Sequence, residues 1–370
     1  MKHKMIKSLL LALAVLLAGC GSDNAYDGTE LIGSNTPTTP EENAMLSVQT
    51  QVFQKHATAL KQSITQMRQS ISTFEQNLTA NEVSSLQTQF ETLMTEWKSV
   101  EAGYVAADYD ESLIDTPSAI DFFHTGNVDV AADVQKALDQ TGDIESALFK
   151  NSSKTITALE YMLFGTATPL DEMVGLMNKD DKRRVNACDV ALKNLEAQAS
   201  KIETFYQNDT KFAANITDAS NALANVLIDS SFKLKEWRIG EPSGIALKYA
   251  GNPDSNRFEY AKSKRSLEAM RAILLTHQEI MGEQSYANFG SFASQNGAQS
   301  VVIAIRKQIS DALALLNQFN TPIEEAINGT SVDAKIDTLY ATTKELQRLY
   351  YESLIQALSL TAEIIEADGD

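Results

Sequence analysis

The sequence predicts an all-α protein of two helical bundles related by an internal duplication. Three observations carry this. Apolar residues recur every three or four positions in long seams. No stretch shows the strict apolar–polar alternation of a half-buried strand. A Glu-Trp-basic signature also occurs twice, each time at the end of a seam, in "LMTEWKSVEAGY" (Leu93–Tyr104) and "FKLKEWRIGEPSG" (Phe232–Gly244).

Taken in order, residues 1–19 read as a lipoprotein signal peptide. Lys2, Lys4 and Lys7 precede an apolar run from Leu9 to Leu17, too short to span a bilayer. The run closes with Leu17-Ala18-Gly19-Cys20, which resembles a bacterial lipobox, where cleavage precedes the cysteine and that cysteine is lipidated. Gly21 rather than Asp follows, which points to the outer membrane in a Gram-negative cell, facing the periplasm or the cell surface. Residues 20–41 carry the lipidated Cys20 and a flexible tether rich in Gly, Ser, Asn, Thr and Pro. Without the signal the chain loses three of its 31 Lys+Arg and none of its 49 Asp+Glu, leaving a formal charge of −21. Such acidity argues against nucleic acid as a partner. The membrane is then a partner through the lipid anchor alone. Cys188 is the one cysteine beyond Cys20, so no disulfide frames the fold.

The helical seams follow. Phe53, Ala57, Leu60, Ile64, Met67, Ile71 and Phe74 form the first; Thr79 and Glu82 then fit a capping box, and the next seam runs from Val83 through Leu86, Phe90, Leu93 and Trp97 to Tyr104. Later seams run from Val185 to Tyr206, from Ile216 to Val226, from Leu267 to Met281, from Val302 to Leu316 and from Val332 to Ile364. Glu101 and Glu241 each stand four residues after a tryptophan. Each signature leads into an irregular segment and then a helix opening on Ser-Lys, at Ser153-Lys154 and Ser263-Lys264. The expected division is an N-terminal bundle over 42–168 and a C-terminal bundle over 169–370.

One carboxylate stands out. In "SSKTITALEYMLFG" (Ser152–Gly165), Glu160 sits among Ile156, Leu159, Tyr161, Met162, Leu163 and Phe164. A charge in that much apolar surface must be paired, protonated or metal-bound. If the whole stretch is helical, Ser153, Thr157 and Glu160 share one stripe at i, i+4, i+7. Either Glu160 is a ligand or proton acceptor in a semi-buried pocket, or it pairs with a cation such as Arg238 and fastens the bundles together.

The segment around Ala158–Gly165, "EWRIGEPSG" and "NRFEYAKSKRSLEAM" (Asn256–Met270) together resemble the imelysin family, over residue 42 to the C-terminus. The resemblance implies two α-helical bundles with a cleft between them. The family is named for an insulin-cleaving peptidase, and many members are linked instead to iron-regulated uptake at the cell surface. Its motif, Gly-x-His-x-x-Glu, is held to be a metal or catalytic site. Here the Gly position is Thr155, the His position Thr157, and the Glu is kept as Glu160. A threonine hydroxyl supplies no imidazole nitrogen, so the helix alone does not make a zinc site.

Other candidates are weighed by residue type. His124, in a loop with Asp121, Gly126 and Asp129, is the one candidate histidine partner for Glu160 around a divalent or iron cation. His277 and Cys188 lie on apolar seams and read as core; His56 reads as surface. No His-Glu-x-x-His is present. Trp97, Glu101, Trp237, Arg238, Glu241, Arg257, Glu259 and Tyr260 complete the ligand-binding candidates, with the chemistry to grip a carboxylate or a chelated cation, or to fix a loop by salt bridges. The leading expectation is a lipid-anchored protein whose cleft binds a metal, chelate or peptide ligand for iron uptake, alongside an outer-membrane uptake partner. A metallopeptidase using Glu160 with His124, and an assembly factor, are the alternatives.

Overall fold

Helix formation follows the capping chemistry closely. The computed structural model describes residues 37, 39–74 and 77–363; the signal, the lipobox with Cys20 and most of the tether lie outside these residues. Helix α1 runs over residues 40–72, with one wider π turn at Gln49–Gln54. Thr39 caps it through a reciprocal bond pair with Glu42, and Pro40 opens the first turn, so the helix starts just before residue 41, the expected end of the tether. The expected Thr79–Glu82 capping box is formed at the start of α2 (Ala80–Glu101). An irregular stretch with short helical turns leads to α3 (Ile156–Phe164) and then α4 (Arg183–Asn208).

These four helices pack as one group: α1 on α2 and α4, and α3 on α2 and α4. The second group comprises α5 (Ile216–Lys233, continued by a π turn at Leu234–Gly240), α6 (Ser266–Met281), α7 (Gln299–Leu316) and α8 (Ala334–Arg348, continued by a π turn at Leu349–Leu354). There α7 packs on α6 and α8, and α5 on α8, while α2 against α6 joins the two groups. Helix α4 lies beyond residue 168 in sequence and packs on the N-terminal side. The only strands among the described residues are a two-residue antiparallel pair, Ile327–Asn328 with Ser331–Val332.

The seams are the core. Phe53 through Ile71, Val83 through Val100, Val185 through Tyr206 and Leu267 through Met281 present buried residues at the expected spacing. Gly240 allows a close approach of α8: a Cβ there would lie 2.9 Å from the Tyr340 ring. No helix among the described residues is long and apolar enough to cross a membrane. Cys188 is fully buried between Leu192 and Val185 on its seam, and burial pushes its thiol up to about 12. A thiol reagent is therefore expected to label Cys188 only once denaturant is present; rapid labelling of the native protein would contradict this packing.

Candidate functional site at the bundle junction

The stretch around Glu160 folds differently from a single long helix. Thr155 is the N-cap of α3, its side chain accepting from the Ala158 N–H at 3.3 Å, so the helix begins at Ile156. Ser153 sits in the preceding 3₁₀ turn (Asn151–Lys154) and is off the expected stripe with Thr157 and Glu160. Thr157 faces the irregular segment instead. Its hydroxyl donates to Asp121 Oδ1 at 2.9 Å and accepts from the Phe122 N–H at 3.1 Å.

Glu160 is 1% exposed. Its Oε1 accepts from the Ser263 N–H (2.9 Å) and the Ser263 hydroxyl (2.8 Å), which belong to the segment leading into α6. The carboxylate thus bridges the two helical groups, but through Ser263 and not through Arg238 or His124. Burial raises its pKa to about 7, with Lys262 and the Ser263 bonds pulling the other way and Glu324 adding to the rise. It titrates near neutrality.

Arg238 belongs to a separate buried ion network. Lys98 on α2, wholly enclosed, donates to Asp121 Oδ2 (2.7 Å), Glu101 Oε2 (2.9 Å) and Glu259 Oε1 (2.5 Å). Arg238, in the π turn of α5, donates through Nε to Glu259 Oε2 (2.7 Å) and through one Nη to Glu101 Oε2 (2.8 Å). Two cations face three carboxylates, and the remaining charge is met by neutral donors. The Trp97 indole N–H and the Tyr260 hydroxyl each reach Asp121 Oδ2 at 3.1 Å, and the Phe123 N–H reaches Asp121 Oδ1 at 3.1 Å. Burial alone would neutralise these groups. Instead, burial of Lys98 is outweighed by Asp121, Glu101 and Glu259, which hold the ammonium charged. Lys98 in turn holds Asp121 below the usual carboxylate range against its own burial. A pair desolvated to this degree is favourable only with such complete bonding.

At the edge of the network lies a half-exposed aromatic rim. The His124 and Trp237 rings stack with centroids 4.5 Å apart, and Phe123 meets His124 edge-on. His124 Nε2 lies 3.0 Å from Glu241 Oε2, and its backbone is left-handed (φ 58°), a conformation costly for a residue with a Cβ. The Lys233 ammonium sits 5.4 Å over Trp237.

The structure thus brings together Trp97, Glu101, Arg238, Glu259 and Tyr260, with Thr157 joined through Asp121 and with His124, Trp237 and Glu241 on the rim. It sets Arg257 apart, stacked on Tyr249 at 4.0 Å in a surface loop. His124 meets Glu241 instead of Glu160, because the turn that carries it faces the π turn of α5. Lys98, Asp121 and Ser263 were not among the expected site residues. The available signal for Lys98 was the repeated signature itself, since it holds in the first copy the place of Arg238 in the second. His56 also departs from a surface role: its side chain is 12% exposed, with Nδ1 3.2 Å from Glu96 and Nε2 2.7 Å from Glu279.

With both ring nitrogens against carboxylates, the charged form of the imidazole is favoured. Burial lowers its pKa, but the bonds to Glu279 and Glu96 outweigh that and leave it raised. The sign follows: this clamp stabilises the fold fully below about pH 6.5, the ordinary histidine value, and is lost as pH rises through the raised folded value. His56→Gln is expected to flatten that part of the pH–stability curve in urea melts; an unchanged curve would show that His56 carries no proton-linked stability.

A metal held by the α3 motif does not fit these residues. Thr157 offers a hydroxyl already bonded to Asp121 and Phe122, Asp121 is taken by Lys98, and Glu160 Oε1 is taken by Ser263. Among the described residues no group of three His, Cys, Asp or Glu side chains is placed to hold a metal ion.

The model of the imelysin family matches residues 53–350. Among solved structures, an imelysin-like protein from Psychrobacter arcticum superposes with a TM-score of 0.61 at 16% identity, covering 88% of this chain and 97% of that one. A candidate iron-regulated protein A precursor from Parabacteroides distasonis superposes with a TM-score of 0.65 at 11% identity, over 88% and 97% respectively. At these identities the likeness is one of fold. No curated protein matches the sequence.

Proposed function

Because this chain belongs to the imelysin family, we propose that it is a non-hydrolytic binding protein, held at the cell envelope by a lipid on Cys20, which recognises a ligand connected with iron acquisition at the junction of its two bundles. The observation that carries this reading is the fate of the family motif. Thr157 stands at the histidine position and is bonded to Asp121, while Glu160 is bonded to Ser263. Activating a water for peptide hydrolysis usually takes three protein ligands on zinc. One carboxylate already engaged by serine does not supply them. The iron connection rests on the name of the Parabacteroides relative and on the family.

The half-exposed surface beside the buried network is formed by Phe123, His124 and Trp237, with Lys233 above the indole. An aromatic face with an ammonium shared with Asp229 at 2.7 Å suits the stacking and hydrogen bonding of a chelate's organic part better than a bare cation. Trp97 is fully buried and Trp237 is not, so a ligand at the rim is read by Trp237 fluorescence. Titration with ferric citrate is expected to quench the wild type saturably and to leave Trp237→Phe unchanged. Equal quenching in both would place any binding elsewhere, and a natively purified protein carrying stoichiometric zinc would favour the peptidase reading instead. For the anchor, Cys20→Ser is expected to move the protein from the membrane fraction to the soluble one or to stall its processing. A wild type already soluble, with an unmodified N-terminus, would remove lipid anchoring from the account.

A further inference from the structure

The aromatic rim is closed by the chain itself. The His124 and Trp237 rings lie 4.5 Å apart and 3° from parallel, so the imidazole covers an indole face on which a planar ligand would stack. Phe232 and Lys233, which also meet the indole, belong to the same continuous helix as Trp237, whereas His124 comes from a different part of the chain. We propose that the segment Phe122–Asp129 is a latch, in which the His124 ring holds the place of a ligand on Trp237 and a chelate reaches the indole by displacing it. The ligand in this inference rests on the reading of the rim given above; the closed state rests on geometry alone.

The segment is fixed at both ends and held in the middle by one side chain. At its start the Phe122 N–H donates to Thr157 on the motif helix at 3.1 Å, the Phe123 N–H donates to Asp121 at 3.1 Å, and the Phe123 ring lies 5.9 Å from the Arg238 guanidinium. At its end Asp129 caps the helix that opens at Val130, accepting from the Ala132 N–H at 2.9 Å. Between these anchors Gly126, Asn127 and Val128 are exposed, and their N–H groups have no hydrogen-bond partner among the described residues. Gly126 is left-handed (φ 72°) with open space where a Cβ would stand, which suits a hinge. The His124 side chain ties this stretch to α5, through the indole stack and through Nε2, 3.0 Å from Glu241 Oε2. Its own backbone is left-handed (φ 58°), a state that persists only while surrounding contacts enforce it. Displacing the ring therefore gives up one stack and one polar contact, relieves the backbone, and leaves the ion pairs of Lys98 and Arg238 in place.

The test uses the full chain purified in detergent and read by tryptophan fluorescence, with Trp237→Phe giving the background of the buried Trp97. Two variants remove the ring while suiting the left-handed backbone, His124→Gly and His124→Asn, so that either decides the outcome if the other does not fold. Without ligand, acrylamide is expected to quench Trp237 more steeply in both variants than in the wild type. Ferric citrate is then expected to half-quench the variants at about tenfold lower concentration, as when a closed state populated about nine-tenths of the time is removed. Equal acrylamide slopes would overturn the latch, because the imidazole would then not shield the indole. A half-quenching concentration unchanged or raised in the variants would also overturn it, making His124 a bystander or a ligand contact while the rim still binds. If ferric citrate quenches none of these proteins saturably, the reading of the rim falls and with it the chelate as displacing ligand, whereas the acrylamide slopes still decide whether His124 closes the indole.

Discussion

Lys98→Met is expected to cost about 3–5 kcal/mol of folding stability, because among the described residues it leaves Asp121 with no ion-pair partner and Glu101 and Glu259 paired with Arg238 alone. The methionine fills most of the lysine volume, so the loss reports charge and not a cavity. One further variant separates the two. Lys98→Met combined with Asp121→Asn removes one cation and one anion together and is expected to recover part of the loss, since the network then keeps Arg238 against two carboxylates. Urea unfolding followed by circular dichroism measures all three proteins. A loss below about 1 kcal/mol for Lys98→Met would mean that water relieves the stranded carboxylates and that the network does not fasten the bundles.

Glu160→Gln is expected to change stability with a sign that depends on pH. The folded protein holds the Glu160 proton up to about pH 7, whereas the unfolded chain releases it near pH 4.5. Between those values the folded state binds more protons, so wild-type stability falls as pH rises, by about 1.4 kcal/mol per pH unit and on the order of 3 kcal/mol in all. Gln keeps the Oε1 acceptor for both Ser263 donors and carries no charge to desolvate. The variant is therefore expected to match the wild type near pH 4.5 and to exceed it at pH 8. If the same exchange also weakens ferric citrate quenching of Trp237, the Glu160–Ser263 contact helps position the binding surface, and the wild type retains the carboxyl group at a cost in stability. Parallel pH–stability curves for the two proteins would place the Glu160 titration outside the neutral range.

Much of the fold was legible because helix periodicity is a local property. The seam from Val185 through Cys188, Leu192, Leu195, Ala199 and Ile202 to Tyr206 is buried at every position, and Thr79 with Glu82 makes the capping box its spacing implies. The site was legible in residue type but not in pairing. Glu101, Arg238, Glu259 and Tyr260 meet, yet Lys98 sits on a helix where a lysine ordinarily reads as surface, and Glu259 comes from 161 positions away. Nothing local in the sequence places Asp121 between Lys98 and Thr157. Ser153 falls on the other side of a helix start: Thr155, an ordinary N-cap residue, sets the boundary two residues later. His56 is hidden from a local reading for the same reason as Lys98, since Glu96 and Glu279 arrive from two other helices.

Peptide hydrolysis with zinc supplied is the most direct measurement of whether this imelysin binds or cleaves. The full chain, purified in detergent, is incubated with insulin and a panel of short peptides with and without zinc, beside Glu160→Gln. With Thr157 bonded to Asp121 and Glu160 bonded to Ser263, no zinc-dependent cleavage above the Glu160→Gln background is expected. Zinc-dependent cleavage by the wild type that is lost in Glu160→Gln would contradict the binding reading and make Glu160 a catalytic residue.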